Sequence, residues 1–188
     1  MEKKIAILGI VGSLRKGSYN KALMRSAVES CPPDATIEVF DIGGMPLFSE
    51  DWEKTPPPVV TEFKKKIRAA HAILIATPEY NYSIPGVLKN AIDCGSRPYG
   101  DNAFDGKPVA VMGASVGMLG TAHAQYHLRQ CFVPLNMRPL NMPEVMVPFA
   151  QDKVDAGGKV TDPKTCDKVK ELVVALIDWT KRMEKAMA

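Results

Sequence analysis

Three short stretches of this sequence carry residue types suited to holding an anion and a flat ring. The first is Gly12-Ser13-Leu14-Arg15-Lys16-Gly17-Ser18-Tyr19-Asn20, set between an apolar run and a helix-forming segment. Amides exposed at a helix start, hydroxyls from Ser13 and Ser18, and the Arg15 guanidinium converge there on one phosphate. Ser and Gly also occupy such turns merely as caps, but so many anion-binding groups in one loop favour the phosphate. The stretch lacks both the GxxxxGKS/T spacing of a triphosphate loop and the GxGxxG spacing of a dinucleotide turn, so a monophosphate ester fits it better. Asp41 stands where a dinucleotide fold places its ribose-binding acid; without the glycine pattern it reads as an ordinary loop carboxylate.

The second stretch is Thr77-Pro78-Glu79-Tyr80-Asn81-Tyr82-Ser83-Ile84-Pro85-Gly86. Its prolines stiffen the chain, while Tyr80, Asn81 and Tyr82 offer ring faces and hydrogen bonds to a flat aromatic ligand. The third, Gly113-Ala114-Ser115-Val116-Gly117-Met118-Leu119-Gly120-Thr121, is small enough to let main chain approach a ring edge. Taken singly, each of these two is equally compatible with a plain connection.

The elements that position them follow from hydrophobic pattern. Ile5–Val11, Ala72–Ala76 and Val109–Met112 are apolar without alternation, as in parallel strands covered on both faces. Thr36–Phe40 alternates and suits a strand nearer an edge, and Met137–Val147 permits a fifth strand of uncertain limits among its prolines. Helical stretches follow Ser18, carry Val60, Phe63, Ile67 and Ala70, and run from about Leu119 to Phe132. A last helix begins at Asp162 and Pro163, with Val169, Leu172, Val173, Leu176 and Ile177 on one face. The β-α-β-α-β order calls for a parallel sheet with right-handed crossovers, and ligands then bind beyond the carboxyl ends of the strands, where all three stretches lie.

Composition narrows the classes of function. With 188 residues, 46% of them hydrophobic, one core is expected and disorder is excluded. A net charge of only +3 gives no electrostatic case for nucleic acid or a membrane surface as partner. Cys31, Cys94, Cys131 and Cys166 form no short metal or redox pair and read as buried free thiols, and no run approaches a membrane span. The expectation is a cytoplasmic protein that holds no metal.

Together, GSLRKGSYN, TPEYNYSIPGVLKNAID and AQYHLRQ resemble the NADPH-dependent FMN reductase family of flavodoxin-like proteins, most closely its chromate and quinone reductase branch. The likeness extends over nearly the whole chain. It implies one flavodoxin-like α/β domain over residues 1–188, with a doubly wound five-stranded parallel sheet in order 2-1-3-4-5 between two helical layers. It implies an FMN phosphate held at Ser13, Arg15, Ser18, Tyr19 and Asn20, with Pro78, Glu79, Tyr80 and Asn81 along the isoalloxazine and Ser115 and Gly117 near its other edge. It implies a cycle in which NADH or NADPH gives a hydride to FMN and a small-molecule acceptor, a quinone or an oxyanion such as chromate, then takes the electrons. The cofactor carries that chemistry, so no catalytic acid, base or nucleophile is required of the protein.

The same resemblance implies a homodimer or homotetramer, with a tetramer contact at Tyr82, Tyr126 and Glu144. His123 occupies the position of that contact's arginine; an imidazole charged only on the acidic side would strengthen assembly on mild acidification. Arg97 is a candidate to draw anionic oxidants towards the ring, with Tyr82 beside the substrate; a solvated surface arginine is the alternative. Phe48 and Trp52 need burial, and a neighbouring subunit's flavin cleft is one place for them.

Two other classes compete. Gly113–Gly117 matches GxSxG, but no Asp or Glu lies between Ser115 and His127, so the order of a hydrolase triad is missing. A flavodoxin-like electron carrier that serves protein partners without oxidising NAD(P)H is the stronger rival. Such carriers dock through acidic faces, whereas this chain is mildly basic.

Overall fold

The apolar runs form the strands that their texture predicts in a computed structural model, which describes residues 4–187. In chain order the elements are β1 (Ile5–Val11), α1 (Tyr19–Glu29), β2 (Ala35–Phe40), α2 (Pro58–Ala69), β3 (Ala72–Ala76), α3 (Gly86–Ser96), β4 (Pro108–Ala114), α4 (Ala122–Phe132), β5 (Arg138–Pro139), β6 (Val145–Val147) and α5 (Pro163–Met187). All strand pairs are parallel, and the order β2-β1-β3-β4-β5 is the expected flavodoxin-like one.

Side-chain alternation along the central strands divides the core between two layers. Ile5, Ile7, Leu74 and Met112 face α1 and α5, whereas Leu8, Ile10, Ile73 and Val111 face α2, α3 and α4. Both faces are covered, which is why these strands read as unbroken apolar runs. Val39 on edge strand β2 is 46% exposed.

One expectation needs correction. The sheet has six strands rather than five, because the last position is shared by two short ones. Arg138–Pro139 pairs with Pro108 and Val109 at one end of β4, and Val145–Val147 pairs with Met112 to Ala114 at the other. Pro139 and Pro143 lack the donor needed for one continuous ladder. The thiols also differ from the expectation: only Cys94 is fully buried, and the other three are half-buried. Burial pushes the Cys94 thiol up to about 11 and raises Cys31 and Cys131, which disfavours their thiolate forms. No helix among the described residues is long and apolar enough to cross a membrane.

Candidate functional site

A cleft of about 490 Å³ opens at the carboxyl ends of β1, β3 and β4. Ser13, Arg15, Ser18, Tyr19 and Asn20 line one wall, Pro78, Glu79 and Tyr80 a second, and Ala114, Ser115 and Val116 the third. Asn81 and Gly117 are the two named cofactor residues outside this lining. Ala114 and Val116 join it although sequence reasoning did not select them. The one available signal was Val116, a large apolar residue in a run of small ones, and it is 59% exposed at the rim.

The first wall is built from the start of α1. Ser18 caps the helix, its Oγ accepting from the amides of Asn20 at 3.2 Å and Lys21 at 3.4 Å, which leaves the hydroxyl proton for an outside acceptor. The Arg15 guanidinium lies 4.8 Å from the centre of the Tyr19 ring, so cation–π attraction steadies a side chain that is otherwise exposed. Two hydroxyls, a guanidinium and the positive end of α1 together suit a dianionic phosphate monoester.

Asn20 does something its residue type did not announce. Its Nδ2 donates to the Ala114 carbonyl and its Oδ1 accepts from the Ala114 amide, each at 2.9 Å, and the side chain is buried. Both ends of the amide are therefore committed to β4, and Asn20 ties the first wall to the third. Beside it, Gly113 lets Thr121 and the Thr77 carbonyl approach closely: a Cβ there would lie 2.0 Å from Thr121 Oγ1 and 2.5 Å from the Thr77 carbonyl.

The second wall is a two-residue turn. Tyr80 and Ser83 exchange backbone hydrogen bonds at 3.1 and 3.0 Å, while Asn81 and Tyr82 between them have φ of 50° and 61°. That is the pattern of a type I′ turn, which Asn tolerates and Tyr does not. The Tyr82 ring rests 4.5 Å from that of His123, a contact that offsets part of the strain. Glu79 fastens the turn from below: Oε2 accepts from the Ala124 amide at 3.0 Å and Oε1 lies 3.1 Å from His123 Nδ1. The Glu79 carboxylate thus faces the N-terminus of α4, where the helix dipole favours it.

The residues assigned to assembly separate into two groups within one chain. Tyr82 and His123 belong to the Glu79 cluster, and Tyr126 donates to Glu144 Oε1 at 3.2 Å. Tyr82 and Tyr126 are 68% and 50% exposed.

Arg97 lies elsewhere, at the C-terminal end of α3, the end that leads back to the amino ends of the strands. Its guanidinium donates to Glu53 Oε1 at 2.8 Å and Glu50 Oε1 at 2.9 Å and stacks 4.0 Å from the Tyr99 ring. It is therefore neither solvated nor beside the cleft. Phe48 and Trp52 pack edge to face at 5.3 Å under the same arginine, and the Phe48 amide donates to Asn90 Oδ1 at 2.8 Å. Their burial has an account within one chain.

The family model described as NADPH-dependent FMN reductase matches residues 5–152. The chain is 51% identical over 184 residues to the NAD(P)H-dependent FMN reductase of Pseudomonas aeruginosa, covering 97% of this chain and 99% of that one. It is 44% identical over 165 residues to a 2-hydroxy-1,4-benzoquinone reductase of a Burkholderia species, covering 88% and 89% of the two chains. Among solved structures, the flavoenzyme NAD(P)H:(acceptor) oxidoreductase of Paracoccus denitrificans superposes with a TM-score of 0.88 at 36% identity, covering 95% of this chain and 98% of that one. Full-length identity at this level, joined to a cleft whose donors suit a flavin phosphate, makes this chain an oxidoreductase that belongs to the NADPH-dependent FMN reductase family.

Proposed function

We propose that the protein, as one FMN-binding unit, oxidises NADH or NADPH and passes the electrons to small quinones. The observation that carries this reading is the convergence of three loops on one cleft, with phosphate donors on one wall and ring-sized main-chain walls on the other two. When bound, FMN supplies the hydride-accepting ring and the two-electron store.

The chain's own residues bind and orient. Ser13, Ser18 and Arg15 would take the phosphate at the positive end of α1, and Tyr19 would hold Arg15 over it. Pro78, Glu79, Tyr80 and Asn81 would present main chain along the ring, with Ser115 and Gly117 at its far edge. The Ser115 Oγ already accepts from the Gly117 amide at 3.1 Å, which shapes that edge. Tyr80, 54% exposed, stands at the mouth where an acceptor ring would stack.

Quinone reductases among the relatives support small aromatic acceptors. Reduction of chromate or another oxyanion is a further possibility of an open flavin face, but Arg97 gives it no help, since two carboxylates already neutralise that charge. The exposed rings of Tyr82 and Tyr126 support self-association to a dimer or tetramer.

The test is steady-state oxidation of NADH and of NADPH by purified, FMN-loaded protein with a 1,4-benzoquinone as acceptor. Quinone-dependent turnover is expected. A colourless chain that cannot be loaded with FMN, or a loaded one that leaves both nucleotides intact, overturns the reading; the second result is what an electron carrier would give.

A further inference from the structure

We propose that the groove between α1 and β2 is a second binding site, taking the phosphorylated ribose and planar base of a nucleotide. The inference goes beyond the reading above and stands on the groove itself, whether or not FMN binds next door.

The groove holds about 440 Å³, within the range of small-molecule sites, and opens at the carboxyl ends of β1 and β2, on the other side of the phosphate loop from the cleft. Ser13 lines both spaces. Its floor is apolar: Met24 and Val28 come from α1, Val39 and Phe40 from β2. Val28 and Val39 are 41% and 46% exposed, so nothing among the described residues covers this part of the floor. Gly9 lets the floor form. A Cβ there would lie 2.8 Å from Met24 Sδ and 3.3 Å from Val39 Cγ2, so the Met24 thioether would have to shift.

Polar groups are graded along the groove. Lys16 and Lys21 stand at the loop end, and no ion pair joins either to a carboxylate among the described residues. Arg25 follows one turn down α1, donating to the Gly158 carbonyl at 2.5 Å, and Glu29 comes a further turn on. Asp41 closes the β2 side; its Oδ1 accepts from the Gly43 amide at 2.9 Å, and its other oxygen is available to a ribose hydroxyl. An apolar slot with cations at one end and a carboxylate beside them suits a base, a phosphate and a sugar in that arrangement. A bare anion would leave the floor unused, and a neutral ring would leave the lysines unused. Asp41 thus stands at the end of β2 where parallel folds bind ribose, although the glycine pattern that normally accompanies it is missing.

The probe is adenosine 2′,5′-bisphosphate, titrated calorimetrically into the FMN-loaded protein, with inorganic phosphate and adenosine as controls. Saturable binding is expected for the bisphosphate, weakened at least tenfold by Lys21→Glu and by Val39→Trp, which fills the slot without altering charge. Thermal unfolding and FMN uptake of both variants check that the fold and the neighbouring cleft survive. No saturable binding, or equal affinity in the parent and both variants, overturns the proposal. Competition with NADPH identifies the ligand as the end of the dinucleotide remote from nicotinamide; binding without competition identifies a free nucleotide. A chain that refuses FMN but binds the bisphosphate sinks the reductase reading and leaves this one intact.

Discussion

The two ends of the sheet handle polar groups in opposite ways. At the amino end, Lys64, Arg68 and Arg97 all have carboxylate partners. Lys64, with a side chain only 7% exposed, bonds the Arg97 carbonyl and reaches Asp101 at 2.5 Å, Arg68 meets the same carboxylate, and Arg97 bridges Glu50 and Glu53. At the carboxyl end the exposed Arg15 guanidinium meets no carboxylate among the described residues and the Ser13 and Ser18 hydroxyls line the cleft, while the pairing is done behind them by Asn20 and Glu79. Saturated charge marks a structural belt; donors held in place but left unmatched mark a binding surface.

Substitutions that remove hidden pairing should affect both stability and binding, and those that remove displayed donors should affect binding alone. Asn20→Ala strips Ala114 of both partners in a buried setting and should cost about 3 kcal/mol in denaturant unfolding. It should also weaken FMN affinity, read by quenching of flavin fluorescence; a stable variant with intact affinity would break the contrast. Arg97→Ala should lower the unfolding midpoint, since it leaves Glu53 half-buried without its cation, yet leave KM for an anionic acceptor unchanged.

Arg15→Ala should leave the unfolding midpoint alone and raise the FMN dissociation constant about tenfold, near 1.4 kcal/mol. Asp101→Asn should cost about 1 kcal/mol at neutral pH, a figure held down because the carboxylate is 54% exposed. Lys64 above all holds the Asp101 carboxyl below the usual carboxylate range. Its contribution is therefore present above the unfolded-state pKa of about 4 and lost as pH falls through the lower native value, so parent and variant should converge in acid. The smallest effect is expected at Asn81→Gly, which keeps a left-handed φ that Asn already tolerates and should change stability by less than about 0.5 kcal/mol in thermal unfolding.

Legibility followed sequence distance. β1, β3 and β4 were readable because burial on both faces writes itself into consecutive residues, and the first wall of the cleft because its residues sit side by side. Asn20 was readable as a loop amide but not as a clamp, since Ala114 lies 94 positions away and nothing local distinguishes an amide aimed at a ligand from one aimed at a strand. Arg97 misled for the same reason: the carboxylates that neutralise it precede it by 44 and 47 positions. The split of the last strand was hidden because prolines report where a ladder fails, without saying which register resumes after it.

The double bond pair from Asn20 to Ala114 also bears on how the cleft is filled. With its walls already lashed together by a buried side chain, the receptacle keeps its shape without cargo, and little ordering entropy is charged against the incoming ligand. Loading should therefore resemble docking onto a finished surface, with a small heat-capacity change and hydrogen-exchange protection that hardly differs before and after.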